Sequence, residues 1–286
     1  MRHSAEPADE ANAVQAFYAS NAEVQWTRFD RFARIEEYVL RKALAENLPA
    51  PPALVADIGG GNGRHAFHLA QLGYRVRLCD LTQELVADAR RRNTTAASHL
   101  DSVDCCDARE LPWPDACADA VLLLGPMYCL ADRGDRIAVL REARRVLRPE
   151  APLFAQLLSR VAALRSLLEA APGAGGIFDW QDFLRTGIFR SERMPDFFRI
   201  HYFSTPAEAR RELADAGLEP GLVRGMDGPA SSFGQRKLAD APDHIIRQWG
   251  EIAYALGEAA DYRSTATHLL AVARRPAAVG DHAVRA

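Results

Sequence analysis

The sequence predicts an α/β protein built on a doubly wound sheet of seven strands. Three observations lead to this prediction. Short apolar runs alternate with segments of helical period, a run of glycines follows the first apolar run, and the alternation breaks after the fifth run. Such alternation favours a parallel sheet with right-handed crossovers. The 286 residues, 48% of them hydrophobic and 26% charged, suffice for one large domain with a cap.

Residues 1–50 are predicted to form an N-terminal helical cap, because apolar residues recur at helical spacing from 13 to 46 and prolines follow from Pro49. Residues 51–158 are predicted as the core of the sheet. The predicted strands are 54–58, 75–80, 102–106, 120–124 and 153–158, and the helices between them are 65–72, 83–92 and 135–147.

The pattern changes at 159–203, where glycines and many aromatic residues replace the regular alternation. We interpret this segment as a lid inserted after the fifth strand. The sheet is predicted to resume over 204–276, followed by a tail at 277–286. Its elements are a helix over 205–216 that starts at Thr205 and Pro206, a strand over 218–225, a helix over 244–256 and a strand over 268–274.

Charge and cysteine content narrow the class of protein. A net charge of −3 provides no general attraction for nucleic acid or for acidic membranes, so neither partner is predicted. The five cysteines lack paired zinc-ligand spacing, and no metal site is predicted. Their odd number and the missing signal-peptide pattern favour the cytoplasm. No apolar run is long enough to span a bilayer. An oligomer is possible, but no sequence feature supports one.

A glycine-rich loop, DIGGGNG at 57–63, follows the first predicted strand and precedes a helix. Glycines such as Gly59 and Gly61 let the backbone approach a ligand closely. The helix that follows directs its N–H groups toward the same place. Dinucleotide sites use similar loops, so the loop alone leaves the ligand open.

Acidic residues at the ends of the first three strands narrow the choice of ligand. Asp57 precedes the glycines, where it either touches the ligand or orients the loop through backbone N–H groups. Asp80 ends the second strand, and its carboxylate can accept both hydroxyls of a ribose. Asp107 follows the third strand and could accept a hydrogen bond from an adenine amino group, with the Ala108 N–H reading the ring. Together these residues predict a nucleoside-containing ligand.

The motifs VADIGGGNGR, VRLCDL, CCDARELPWPD, ADAVLLLGPMY and EARRVLRP occur in this order. Over 54–158 the chain resembles the class I S-adenosylmethionine-dependent methyltransferase family. The turn 124–128 and the strand HLLAVARRP resemble a bacterial branch associated with small-molecule modification. The resemblance implies a Rossmann-like fold, S-adenosylmethionine as cofactor, and a cap aromatic, Tyr18, that reaches the cofactor carboxylate. The cofactor-binding residues that it implies are Asp57, Gly59, Gly61, Asp80, Leu81, Asp107, Ala108 and Leu124.

Methyl transfer from a sulfonium requires mainly that the acceptor and the methyl group are aligned. The face of Tyr128, just past the fourth strand, could favour the cationic sulfonium. A base is needed only where the acceptor loses a proton, and His201 is the candidate. The lid aromatics are expected to face the acceptor. They are Phe178, Trp180, Phe183, Phe189, Phe197, Phe198, Tyr202 and Phe203.

The segment Gly125-Pro126-Met127-Tyr128 bears on the class of acceptor. Enzymes of the family that methylate amino groups of nucleic-acid bases or of protein glutamine carry Asn/Asp-Pro-Pro-Tyr/Phe at this place, and the acidic or amide side chain is missing here. We therefore expect an O or N nucleophile on a small molecule, with a secondary metabolite as first choice. Two alternatives stay open: a nicotinamide-dependent oxidoreductase, and a catalytically silent domain that binds a cofactor or a partner.

Overall fold

The structure is a computed structural model. It describes residues 7–20, 26–27, 30–31, 33–161, 164–165, 168, 179–190, 200–228, 235 and 237–277. Within these ranges, no helix has the length and apolar character needed to cross a membrane.

A parallel sheet forms the centre of the molecule, as predicted. Seven strands are arranged in the order β3-β2-β1-β4-β5-β9-β8, and only β9 runs antiparallel to its neighbours β5 and β8. The strands of the described chain are β1 (Leu54–Ile58), β2 (Arg75–Asp80), β3 (Ser102–Cys105), β4 (Ala120–Leu123), β5 (Pro152–Ser159), β6 (Ile188–Arg190), β7 (Ile200–Ser204), β8 (Glu219–Gly225) and β9 (His268–Arg274).

Helices cover both faces of the sheet, because its central strands are apolar on both sides. The described helices are α1 (Pro7–Ser20), α2 (Arg34–Asn47), α3 (Arg64–Gln71), α4 (Gln83–Thr95), α5 (Arg133–Val146), α6 (Trp180–Thr186), α7 (Pro206–Asp215), α8 (Asp243–Leu256) and α9 (Ala260–Arg263). One apolar cluster joins α5 and α7 to the sheet, and a second joins α2, α3 and α8 to the opposite face. The predicted start of α7 is confirmed, since Thr205 and Glu208 form a capping box beside Pro206.

Two strands beyond the predicted seven, β6 and β7, form an antiparallel hairpin inside the segment interpreted as a lid. Strand β7 pairs with β5 at Leu158↔Phe203 and Ser159↔Ser204. Because Leu158 pairs with His268 on its other side, β7 lies on the β4 side of β5, beyond the end of β4. The hairpin therefore extends the sheet above the turn that follows β4. The boundary placed at 203/204 falls inside β7, where the sequence has no turn signal.

Candidate active site

A cavity of about 400 Å³ opens at the carboxyl ends of β1, β2 and β4. This is the edge at which open α/β sheets bind ligands. Helix α1 forms one wall, and Ile188 and Arg190 of the β6–β7 hairpin line another part of the cavity. The cavity brings together all but one of the sequence-predicted site residues: Tyr18, Asp57, Gly59, Gly61, Asp80, Leu81, Asp107, Ala108, Leu124 and Tyr128.

The glycine loop lies between β2 and the turn after β4. Gly59 adopts φ +70° and donates its N–H to the Cys79 carbonyl at 2.8 Å. A Cβ at this position would stand 2.4 Å from Pro126 Cγ, which is closer than atoms approach in proteins. Both the left-handed backbone and the close approach therefore require glycine. The backbone thus forms the floor of the cavity where a larger residue would fill it.

Asp80 connects the glycine loop to the end of β2. Its Oδ2 accepts the Gly61 N–H at 2.9 Å, and its Oδ1 accepts the Thr82 N–H at 2.8 Å. Burial raises the pKa of Asp80, although these backbone hydrogen bonds oppose the shift. Each carboxylate oxygen has a further lone pair, so the side chain can accept hydroxyl groups from the cavity while it holds the loop.

Asp57 is 1% exposed, and neither of its carboxylate oxygens has a hydrogen-bond partner among the described residues. Burial, and then repulsion from Asp80, raises the pKa of Asp57 to about 7. The interpretation that Asp57 orients the loop through backbone N–H groups is therefore not supported. A buried carboxylate without a partner is costly, and a cationic or donating ligand group would offset that cost. Together with the Gly59 floor, Asp57 fits the ammonium-bearing end of S-adenosylmethionine.

Asp107 is already engaged by a neighbouring arginine. Its oxygens accept from the Arg109 backbone N–H at 2.8 Å and from Arg109 Nη2 at 2.6 Å, while Arg109 also pairs with Asp135 at 3.0 Å. Burial opposes ionisation, but the hydrogen bonds from Arg109 outweigh it and hold the pKa of Asp107 below its usual value. A bond from an adenine amino group would therefore have to share this carboxylate with Arg109.

Two tyrosines line the cavity on either side of the turn after β4. The Tyr18 hydroxyl lies 3.6 Å from Cys129 Sγ, and the Tyr128 hydroxyl donates to the Leu124 carbonyl at 3.3 Å. Burial raises the pKa of Cys129 to about 12, so this thiol stays protonated and is no nucleophile at neutral pH.

His201, the predicted base, does not line the cavity. The side chain is 4% exposed, and its ring stacks on Tyr128 at a centroid distance of 6.0 Å and an interplanar angle of 7°. Tyr128 thus stands between His201 and the cavity. The geometry gives His201 a packing contact, because alternation along β7 directs it into the hairpin interior.

The lid aromatics were expected to face the acceptor, and none of the five in the described chain lines the cavity. Phe183, Phe189 and Phe203 pack edge to face at 5.6–6.4 Å, Tyr202 lies under the Arg136 guanidinium, and Trp180 is exposed. The three phenylalanines pack the β6–β7 hairpin against α6. The other three, Phe178, Phe197 and Phe198, lie outside the described residues.

Sequence reasoning missed Gln156, which lines the cavity from β5 and donates from Nε2 to Glu36 Oε1 at 2.8 Å. The available signal was an amide side chain in the otherwise apolar run PLFAQLLS. It also missed Arg190 on the cavity wall, whereas His65, which lies on the helix after the glycine loop, was expected near the cofactor and lines the cavity. Among the described residues, no group of three or more His, Cys, Asp or Glu side chains is placed to hold a metal ion.

Residues 55–150 match the model of a methyltransferase domain family. A probable tRNA methyltransferase 9B of Mus musculus is 33% identical over 104 residues, or 36% of this chain and 21% of that protein. A ubiquinone/menaquinone biosynthesis C-methyltransferase of Acidiphilium cryptum is 32% identical over 134 residues, or 45% of this chain and 52% of that protein. The chain thus spans between a fifth and about half of the length of these curated relatives.

Solved structures share the fold at low identity. A SAM-dependent methyltransferase from Methanosarcina mazei has a TM-score of 0.60 at 17% identity, over 82% of this chain and 98% of that one. A 1,6-didemethyltoxoflavin-N1-methyltransferase from Burkholderia thailandensis, with bound S-adenosylhomocysteine, has a TM-score of 0.57 at 16% identity, over 96% of this chain and 93% of that one. The predicted fold class is confirmed. The methyltransferase domain model that matches residues 55–150 agrees with the predicted family, and the neighbour that holds S-adenosylhomocysteine agrees with the predicted cofactor.

Proposed function

We propose that residues 55–150, which match a methyltransferase domain, form a class I S-adenosylmethionine-dependent methyltransferase domain, and that this chain methylates an O or N nucleophile of a small molecule. The observation that carries the methyl donor in this proposal is the buried carboxylate of Asp57 beside the glycine floor, which has no hydrogen-bond partner in the described part of the chain. Within a cavity of about 400 Å³, that carboxylate fits a cationic cofactor.

We assign each residue around the cavity to one part of S-adenosylmethionine. In the proposal, Asp80 accepts the ribose hydroxyls, Asp57 faces the amino group, and Tyr18 reaches the carboxylate. Leu81 and Leu124 supply apolar contacts, Gly59 and Gly61 form the floor, and Asp107 and Ala108 recognise the adenine. The bound cofactor supplies an already activated methyl group. The protein then contributes mainly alignment, which can lower a barrier by ~7–11 kcal/mol.

Tyr128 is the aromatic residue that we assign to the reacting end of the cavity. Its hydroxyl is held by the Leu124 carbonyl and its ring is backed by His201, so the orientation of the ring is fixed. A fixed aromatic face stabilises a nearby cation and excludes water from the transfer. We therefore assign Tyr128 to positioning the methyl group and the acceptor.

A small acceptor is favoured over nucleic acid by the pairing of the basic residues. Arg91 and Arg92 pair with Asp88 at 2.5 and 3.0 Å, and Arg145 pairs with Glu142 and Asp115. A free arginine binds a phosphate backbone by displacing its counterions into solution. An arginine that is already paired with a carboxylate contributes little to such binding. The tRNA methyltransferases among the relatives make RNA the competing acceptor, and the experiment must include it.

The test is transfer of label from methyl-labelled S-adenosylmethionine to four fractions: a small-metabolite extract, total RNA, DNA and protein. We expect label in the metabolite fraction and S-adenosylhomocysteine as product, with both lost in Asp80→Ala. Salt-sensitive labelling of the RNA fraction alone would contradict the proposal of a small acceptor and identify RNA as the acceptor. Binding of S-adenosylmethionine without any product would favour the silent binding domain.

A further inference from the structure

Gln156 is a polar residue in the middle of a buried strand. It is 4% exposed, and the neighbouring β5 residues Phe154, Ala155 and Leu157 belong to the apolar core. An amide in such surroundings is costly unless its groups are paired. Its side chain reaches the cavity wall, so a group of the amide that the protein leaves unpaired can form a hydrogen bond with a molecule in the cavity.

A buried carboxylate behind the cavity fixes the orientation of this amide. Glu36 on α2 is 1% exposed, and its Oε1 accepts from Gln156 Nε2 at 2.8 Å. Its Oε2 lies 2.9 Å from His268 Nδ1 at the start of β9. Because Gln156 Nε2 is the donor of this hydrogen bond, the amide turns its NH₂ group toward Glu36.

The other end of the amide therefore faces the cavity. Among the residues that the structure describes, the side-chain hydrogen bond of Gln156 is the one that its Nε2 donates, so its Oε1 is left to the cavity that Gln156 lines. A carbonyl oxygen accepts and never donates. The wall of the cavity thus presents an acceptor to any bound molecule.

The position of Gln156 places it at the acceptor end of the cavity. Asp80 ends β2 and Gly59 follows β1, so the residues assigned to the cofactor occupy the β2–β1 side. Strand β4 lies next, and β5 lies beyond it. Gln156 therefore stands on the side of the cavity opposite to Asp80.

We propose that Gln156 recognises a hydrogen-bond donor, an O–H or N–H group, on the methyl acceptor, and that Glu36 is the positioning residue that sets its orientation. This inference rests on the proposed function. An acceptor without a donor would leave the carbonyl of Gln156 buried and unpaired. Sites built to pair a substrate group reject analogues that lack that group. Alcohols, phenols and N–H compounds would bind, and ethers of the same shape would be disfavoured.

Two probes that differ in one donor test the proposal, 2-naphthol and 2-methoxynaphthalene. Their affinities are measured by calorimetry on protein saturated with S-adenosylhomocysteine. We expect the wild type to prefer 2-naphthol on the order of tenfold. Gln156→Met should abolish the preference. Glu36→Gln should lower it, because an amide at 36 can donate as well as accept and so releases the orientation of Gln156.

Gln15→Met is the matched control, since Gln15 is a second glutamine of the cavity wall that lies on α1. It should retain the preference for 2-naphthol. Equal affinity of the two probes for the wild type, or binding of neither, overturns the inference. A preference that survives in both Gln156→Met and Glu36→Gln also overturns it. Binding of S-adenosylhomocysteine, measured first and alone, reports separately on the cofactor assignment of the proposed function, which fails if that binding is absent.

Discussion

Asp57 holds a buried carboxylate whose ionisation is linked both to folding and to the ligand. Its pKa of about 7 lies above the ordinary value of 3.8, because burial and the charge of Asp80 disfavour the ionised form. Between these two values the folded chain binds a proton that the unfolded chain does not. The contribution of Asp57 to the free energy of unfolding therefore falls as pH rises from about 4 to 7 and is constant above that.

Replacing Asp57 with Asn should separate stability from binding. At pH 8 the variant should be more stable to urea than the wild type, on the order of a few kcal/mol, and this difference should shrink toward pH 4. The same variant should bind S-adenosylmethionine more weakly at pH 8, because the cation loses its carboxylate. Urea melts at several pH values and calorimetry check both results. Lower stability at pH 8 would mean that Asp57 has a stabilising partner.

Asp80 has two roles that substitution can distinguish. Asp80→Ala removes the acceptor of the Gly61 and Thr82 N–H groups and the acceptor assigned to the ribose. We expect affinity for S-adenosylhomocysteine to fall by about 1–3 kcal/mol. Asp80→Asn keeps one carbonyl oxygen and should lose less. Unchanged affinity in the alanine variant, measured by calorimetry, would exclude Asp80 from the binding site.

The sequence located the acids at the ends of the strands but not the pair behind the cavity. Asp57, Asp80 and Asp107 follow from local signals, since each stands where a predicted strand ends. Glu36 and Gln156 are 120 residues apart in the chain, and only the packing of α2 on the sheet brings them together. The ring of His201 lies behind Tyr128 and not in the cavity wall, because a single sequence does not show which face of a short strand such as β7 is turned inward.

At the level of elements, the close contact between the glycine loop and the turn after β4 determines the shape of the cavity floor. Gly59→Ala would push its Cβ into Pro126 and strain a left-handed backbone. We expect this variant to lose binding of S-adenosylhomocysteine and about 1–3 kcal/mol of stability. Calorimetry and urea melts provide the two measurements.

Gly73→Ala is the matched control for the loop. Gly73 also has a left-handed backbone, φ +90°, but its Cβ would meet only Pro51 Cβ, at 3.6 Å, away from the cavity. It should lose stability through backbone strain and keep its affinity for S-adenosylhomocysteine. Similar binding losses in both variants would mean that backbone strain, rather than the contact with Pro126, explains the result.

Arg160 joins the lid hairpin to the rest of the sheet. Its Nη2 pairs with Glu208 at 2.6 Å, its Nη1 donates to the Leu184 carbonyl at 3.1 Å, and its Nε donates to the Phe203 carbonyl at 3.2 Å. Removing this buried cation would leave these acceptors without a partner. Arg160→Met should therefore speed hydrogen exchange across 179–190 and 200–208, while affinity for S-adenosylhomocysteine stays unchanged.

The control for the lid is Arg185→Met, which removes an exposed arginine paired only with its neighbour Asp182 in the described chain. Exposed pairs of this kind contribute little to stability. It should leave hydrogen exchange in the lid as in the wild type. Unaltered exchange in Arg160→Met would show that the Phe183–Phe189–Phe203 cluster alone holds the hairpin.

The core strands could be predicted because each combines an apolar run with a flanking turn signal. The hairpin β6–β7 could not. Its strands are short, and their residues Ile188–Arg190 and Ile200–Ser204 mix apolar, basic and polar types without clear alternation. Their pairing also depends on an edge of β5 that becomes available only beyond the end of β4. That edge is a property of the assembled sheet.

Across the whole molecule, the two faces of the sheet differ in chemistry. The face under α5 and α7 is apolar, apart from the buried Arg136–Glu212 pair between those helices. The opposite face carries the polar groups Asp57, Gln156 and His268 at the cavity end, among the residues that pack under α2 and α3. Buried polar groups cost stability, so their concentration at one end of one face is typical of a binding site.

The acidic residues at the cavity end of the sheet favour S-adenosylmethionine over a nicotinamide dinucleotide. Asp57 and Asp80 lie beside the glycine loop, where a nicotinamide dinucleotide would place its pyrophosphate. The Asp57 carboxylate would repel that group and attract the ammonium group of S-adenosylmethionine, whereas the Asp80 carboxylate can accept the ribose hydroxyls of either cofactor. S-adenosylmethionine at about 100 times its Kd should therefore raise the melting temperature by roughly 4–5 °C, and NAD⁺ should leave it unchanged. In Asp80→Ala the shift at the same concentration should be smaller. An equal or larger shift with NAD⁺ would favour the oxidoreductase and contradict the assignment of the cavity to a cationic cofactor.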